Sequence, residues 1–479
     1  MLIGRTLRTM PGQVAGPLAQ MVAAVAFTHW LSPEALGIYA LAWAAQELVY
    51  YGIVAWWTAY VQRYAASHAD PAAQARLNAA ETAVQLASAL MQAVLAVAAI
   101  WAFIGVRPDA GFLAAVAAFT VTRNLATHFA ARARAEDSDI AFTLLQAGGP
   151  LGGLLLGIAV LATVSPTAEA LLLAYAAAQI LSLGAGVSLM RFKPVAPRLD
   201  RDMLASSWRY GAPLIAANLL EWVGNHGVRL IVDAGAGTEG VGLVTTAWWL
   251  GLRIAAFVAL IVTGATFAAA IRELDTSGPA GARKQLADNG ALLLLLLAPA
   301  IAGGALLAAP FAALAVAEPF REATAALLPL ALAAGGLKAF REHGPEQALL
   351  VFGRTKAAAL TALIEAVATV ILCAVGLALW GLVGAMAGAA LASLIGAAAS
   401  QAIAARLTGY FLRLADVVRI IAATALMSAA VIAMPSPDGA PGLALAILAG
   451  VLVYGLIGAV LWWGRIRAWT ARRRAGRRS

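Results

Sequence analysis

The chain is short of charge, nearly devoid of cysteine, and has no polar stretch long enough to fold by itself. Asp, Glu, Lys and Arg make up 12% of its 479 residues, against roughly a quarter in soluble domains. The length alone would suggest about three soluble domains, but the residues to cover them are missing. The single cysteine, Cys373, lies in the apolar run 366–379, which excludes a disulfide framework and a Cys-based metal site. The histidines His29, His68, His128, His226 and His343 lack the close spacing of metal ligands. The longest polar interval, 60–80, is too short for a catalytic core. Whatever the chain does therefore happens among apolar segments, which favours a transporter over an enzyme, with no catalytic residue, cofactor or metal expected.

Apolar sequence is what fills the chain: 62% of residues are hydrophobic and mean hydropathy is +0.83. About fourteen runs reach the ~20 apolar residues needed to cross a ~30 Å hydrocarbon core. They read as 12–31, 36–59, 81–103, 111–131, 140–163, 167–190, 210–232, 240–270, 288–308, 323–352, 357–378, 380–404, 416–434 and 443–463. Cytoplasmic ends of membrane helices collect Lys and Arg. With both termini inside, only Arg107 and Arg321 of the 33 Lys and Arg fall outside, while Arg123, Arg229, Arg253, Lys338, Arg341 and Arg419 lie within spans. The basic tail from Arg465 directly follows a span, so anionic membrane lipids, not nucleic acid, are its expected partner. Two arginines before a full-length apolar run make the N-terminus a first transmembrane helix.

An internal repeat is visible. Glu34-Ala-Leu-Gly37-Ile-Tyr-Ala-Leu-Ala42-Trp43 recurs as Glu239-Gly-Val-Gly242-Leu-Val-Thr-Thr-Ala247-Trp248, 205 residues further on. The copies open even-numbered helices six spans apart, so the halves keep one orientation and are related by an axis along the membrane normal. The expected fold is all-α: an N-terminal lobe 1–200, a C-terminal lobe 201–404, each a six-helix bundle, and 405–479 with two further helices and the tail.

Ionisable residues inside spans are costly in hydrocarbon and mark a wet cavity or a partner. Asn218, Glu221, Asn225 and Arg229 fall within about 80° of one face of span seven, and Thr120, Arg123, Asn124 and Thr127 within about 100° on span four, with His128 at the edge. Asn and Thr serve equally well as interhelical hydrogen bonds of about 0.6 kcal/mol. Arg123 and Arg229 favour the cavity reading, because a charge costs several times that. Arg253, one turn from Trp249, and Lys338, near Arg341, Glu342 and Glu346 around a kinking Pro345, are further candidates. Glu47 and Glu365 lie well inside helices, as candidates for ion coupling or for pairing with these bases. Several arginines suit a polyprenyl pyrophosphate, since the guanidinium fork matches phosphate oxygens. Trp56, Trp57, Trp222, Trp248 and Trp249 are available for sugar faces or as interfacial anchors. Gly235-Ala-Gly237-Thr-Glu-Gly240 matches a dinucleotide motif in spelling only, for it lies between two spans. The glycines four apart in 148–157 are expected to let helices approach closely.

The turn Leu31-Ser-Pro-Glu-Ala-Leu-Gly37-Ile-Tyr39-Ala, the Tyr210-Gly211-Ala-Pro213-Leu opening of span seven, and Arg229-Leu-Ile-Val before Gly242-Leu resemble the polysaccharide-biosynthesis and O-antigen flippases of the multidrug/oligosaccharidyl-lipid/polysaccharide exporter superfamily, relatives of the lipid II flippases. Where many of that family carry an acid before the arginine closing span seven, this chain has Val228. The resemblance implies export of a lipid-linked glycan across a bacterial cytoplasmic membrane by alternating access, beside glycosyltransferases or a polymerase. A drug/cation antiporter of the same superfamily is the alternative, but residues 18–31 hold no acid. A glycan polymerase or ligase is the enzyme alternative, and it lacks a large outside loop. Reporter fusions after Pro197 and Gly281 should report the cytoplasm and fusions near Pro33, Thr238 and Asp438 the outside; a reversed or odd pattern would remove the two-lobe reading.

Overall fold

The computed structural model describes residues 2–65, 70–103, 109–463 and 467. His68, Arg107 and all of the tail from Arg465 except Arg467 lie outside the described residues, as do the side chains of Arg5 and Arg8. Apart from short connections and the linker 189–200, the described residues form helices: α1 (Leu2–Ala26), α2 (Pro33–Ile53), α3 (Ala55–Tyr64), α4 (Pro71–Phe103), α5 (Ala110–Ala135), α6 (Asp139–Thr163), α7 (Ala168–Ser188), α8 (Arg201–Leu306), α9 (Ala308–Ala315), α10 (Glu318–His343), α11 (Pro345–Val351), α12 (Thr355–Thr408), α13 (Leu414–Ile432) and α14 (Gly439–Leu461). Hydrocarbon cannot satisfy a backbone polar group, so helices bonded within themselves are one of the two ways to cross it. Where helices begin, side chains take the orphan N–H groups: Ser32 accepts from Ala35 N at 3.2 Å, Asp109 from Phe112 N at 2.7 Å and Thr167 from Ala170 N at 3.2 Å.

Two helical stretches are far too long for one crossing. At 1.5 Å per residue a straight α8 would run about 160 Å. It folds back twice instead. Trp248 Nε1 donates to Asn225 O at 3.0 Å and Asn289 Nδ2 to Thr266 O at 3.0 Å. The midpoints of these contacts fall at Gly237 (φ +68°) and Gly278 (φ +70°), left-handed positions that suit glycine. α12 likewise turns at Gly381 (φ +59°), bringing Gly376 against Gly384. Among the described residues nine helices are long and apolar enough to span, ten with the α2–α3 pair, which is bent by 58°. Counting three passes for α8 and two for α12 makes thirteen among the described residues, beside the shorter apolar helix Val14–His29.

Most span boundaries match the sequence reading, but α4 starts at Pro71 and α3 continues to Tyr64, so much of the interval 60–80 is helix. Hydropathy marks only the lipid-facing length, whereas a helix continues wherever neighbours bury it. α10 stops at His343, and Pro345 opens α11 after Gly344. In α6, Gly148, Gly152, Gly153 and Gly157 receive Ser182, Ala178, Tyr175 and Leu171 of α7, and Ser182 Oγ donates to Leu144 O at 2.6 Å.

The chain forms two compact units, Met1–Trp249 with Glu365–Gly388, and Leu250–Ile364 with Ala389–Ser479. The repeat acquires a physical meaning inside the first. A methyl group on Gly37 would overlap the carbonyl of Thr238 and stand 3.0 Å from Gly242 N, and one on Gly242 would overlap the carbonyl of Pro33 and stand 3.1 Å from Gly37 N. Thr238 and Gly242 are the repeat equivalents of Pro33 and Gly37, so the contact is reciprocal, as a local two-fold relation requires. Gly37→Ala and Gly242→Ala should each cost about 1–3 kcal/mol through overpacking against backbone, read as a lowered unfolding temperature in detergent. Gly184→Ala, with open space around it, should be neutral or stabilising by up to ~1 kcal/mol.

Candidate functional site

Glu47, on α2, gathers charge from both sequence halves. Its Oε1 accepts from Trp43 Nε1 at 3.0 Å and its Oε2 lies 2.7 Å from His226 Nε2 on the first pass of α8. Arg229 NH1 stands 2.8 Å from His226 Nδ1. A guanidinium only donates, so Nδ1 is the acceptor and the ring proton sits on Nε2, facing Glu47. Arg229 is buried and its Cζ lies 5.1 Å from the centroid of Trp249. Arg123, on α5, places its Cζ 5.4 Å from the ring of Trp43, and Glu47 is the leading charge acting on it. Trp43 and Trp249 are 6.4 Å apart and both meet Tyr39 edge-on at 6.0 Å. Two arginines thus lie over adjoining tryptophans, each contact worth about 0.5–2 kcal/mol, and Glu47 reaches one through His226 and acts on the other electrostatically. The Glu47 side chain keeps 30% of its surface exposed, so the group is reachable, whereas His226 keeps 6%.

The stripes divide differently from the sequence reading. On α8, Trp222, His226 and Arg229 are buried, Asn218 and Asn225 half-buried and Glu221 exposed. His226 is the residue that the sequence analysis missed, since its partner Glu47 is 179 positions away. On α5 the fully buried ladder is Thr120, Asn124, His128 and Arg132, while Arg123 turns toward Trp43. Asn124 is held in an amide relay: it accepts from Gln46 at 2.6 Å and donates to Gln92 at 2.8 Å, which donates to Ser88 at 3.0 Å. These bonds tie α2, α4 and α5 together. Of the tryptophans proposed for sugars, Trp249 joins the group, and Trp222 stacks on His226 with ring centroids 5.6 Å apart. Trp222 and Trp248 donate to Ala44 O and Asn225 O, Trp56 to Ile53 O, and Trp57 stacks with Tyr60. Glu365 is buried on the first pass of α12.

A second ion group, also unforeseen, lies lower on the same ladder. Glu81 of α4 pairs with Arg132 and, at 2.7 Å, with His128. Arg132 also donates to Asn78 Oδ1 at 2.7 Å and Glu136 Oε1 at 2.8 Å, and its Cζ stands 4.7 Å from the ring of Phe192. Thr58 of α3 completes it, 2.9 Å from His128 Nδ1. Arg132, one residue beyond the span read as 111–131, is fully buried here.

In the second unit Arg253 is half-buried, and Lys338 lies 3.8 Å from Glu342. Arg341 pairs with Glu342 at 3.1 Å and with Glu346, which accepts from Thr361 at 2.5 Å. Among the described residues no three His, Cys, Asp or Glu side chains gather as a metal site.

This is an all-α, multi-pass membrane protein with the fold of the multidrug/oligosaccharidyl-lipid/polysaccharide exporter superfamily. The likeness extends to the lipid II flippase MurJ in an inward closed conformation, with a TM-score of 0.74 at 12% identity over 97% of this chain and all of that one. It extends also to the MATE multidrug transporter DinF-BH, solved as a complex, with a TM-score of 0.57 at 12% identity over 86% of this chain and 96% of the other. An inward-facing MATE family transporter gives 0.55 at 16% identity over 85% and 94%. No protein-family model and no curated protein sequence matches the chain.

Removing one partner of a fully buried ion pair strands the other charge, at about 3–5 kcal/mol. Arg132→Met and Glu81→Gln should each lower the unfolding temperature in detergent sharply. The double variant should recover a large part of that loss; additive losses would show that the two side chains act independently.

Proposed function

We propose that the chain moves an anionic, lipid-linked oligosaccharide from the cytoplasmic to the outer leaflet of a bacterial inner membrane by alternating access, with both termini cytoplasmic. The observation that supports this is the pair Arg123 and Arg229 on either side of Glu47, each laid over a tryptophan. Arginine keeps its charge when desolvated and offers planar, paired donors to phosphate oxygens. Trp43, Trp249 and Tyr39 supply flat apolar faces beside them, suited to sugar rings. A pyrophosphate carries the charge that two guanidinium groups answer. Arg253 and Lys338 are proposed as further contacts for the substrate, Asn218 and Asn225 as hydrogen-bond donors, and glycosyltransferases or a polymerase as partners that supply or consume it.

A drug/cation antiporter is the second reading, favoured by the MATE likeness and by the titratable pair Glu47 and His226, 2.7 Å apart. In that case Glu47 carries the coupling proton and the arginines only anchor it.

Arg229→Ala should reduce glycan-lipid flipping roughly ten- to hundredfold, the worth of a lost charge-assisted contact, with membrane abundance near normal. Arg229→Lys should rescue only in part, because it lacks the fork. The measurement is flipping in reconstituted vesicles alongside expression. Full transport by a well-folded Arg229→Ala protein would take this residue out of the site, and proton-driven efflux of a cationic dye that is abolished by Glu47→Gln would favour the antiporter.

A further inference from the structure

Away from the arginine–tryptophan group, a cavity of about 600 Å³ opens where the linker between the sequence halves lies against α4. Its wall mixes charged and apolar residues: Arg76, Arg198, Arg201 and Asp200 with Ala75, Ala79 and Leu199. The arrangement is pinned. Arg198 N donates to Ala79 O at 3.1 Å, attaching the linker to α4. Asp200 caps α8, accepting from Met203 N at 3.1 Å, and pairs with Arg76 at 3.0 Å. The Met203 N–H first, then the Arg76 guanidinium, hold the Asp200 carboxyl below the ordinary carboxylate value. That acid is therefore committed to the cap and to Arg76. Among the described residues no carboxylate lies within ion-pair distance of Arg198 or Arg201, so the cavity faces outward with uncommitted positive charge.

We propose that this cavity is a binding site for a phosphate-bearing lipid headgroup of the leaflet on the linker's side. Its volume is in the range of sites that enclose small ligands, about 300–1,000 Å³. The three guanidinium groups come from α4, the linker and the start of α8, so a phosphate diester held there touches all three segments. The wall of Leu199 and the two alanines suits the glycerol and first methylenes of a lipid better than it suits a free anion, which has no apolar part to bury. Leu199 is 59% exposed, and a large apolar side chain left open beside three arginines is the pattern expected of a membrane-surface contact. The site is separate from the group around Glu47 and does not depend on what the protein transports.

Native mass spectrometry of the purified full chain tests this with phosphatidylglycerol, phosphatidylcholine and inorganic phosphate as probes. The unmodified protein should retain phosphatidylglycerol roughly tenfold better than phosphatidylcholine. Arg198→Gln and Arg201→Gln should each weaken that retention by about fivefold, the worth of one basic residue at a lipid surface, and the double variant by more than tenfold. Arg272→Gln, an exposed arginine elsewhere, should leave it unchanged. Equal retention by the double variant would overturn the proposal. Inorganic phosphate that displaces phosphatidylglycerol while itself remaining bound would overturn it in favour of a free-anion site.

Discussion

A carboxylate inside the hydrocarbon must be answered by a cation from another helix, and the interior of the first unit is organised around two such carboxylates. Glu81 is fully buried and met by Arg132 and His128; Glu47 is met by His226 and, through it, Arg229. Each draws its partners from a different segment of the chain, so each fixes helix positions as well as balancing charge. The penalty for stranding the fully buried Glu81 or Arg132 is several kcal/mol, which makes that pairing a stronger constraint on register than the alanine-rich apolar contacts around it.

The two groups differ in burial. The Glu81 group is dry and saturated, with Asn78, Glu136 and Thr58 filling the remaining valences. It has the character of a clamp. The Glu47 group is partly open, holds two arginines nearby and is walled by aromatic faces. The amide relay through Asn124 lies between them on α5 and holds α2 and α4 at fixed spacing.

Close backbone approach does the remaining work of assembly. Without a hydrophobic driving force between helices in lipid, association relies on small residues that let main chains meet. The reciprocal contact of Gly37 and Gly242, and the run from Gly148 to Gly157 against α7, are the two clearest cases. In the first, a repeat visible as a few shared letters turns out to be a symmetric contact between its own two copies.

Hydropathy determined most of the fold: the all-α class, about fourteen crossings and the breaks that hold Gly237 and Gly278 follow from segment lengths and the absence of polar sequence, because lipid permits few alternatives, whereas the turn at Gly381 falls inside the span read as 380–404. Arg123, Arg229 and Glu47 were legible as candidates for the same reason, each being a charge inside an apolar run. What the sequence could not determine was which charges meet. His226 had no local signal, and Glu81 stood at the very edge of a span beside a polar interval. Asn124 shares a helix with Arg123 one residue away, yet faces another neighbour. Partners are separated by up to 179 positions, and helix periodicity defines a face without saying what lies opposite. Only the packing of α2, α4, α5 and α8 decided that one acid would be sealed into a clamp and the other left open between two arginines.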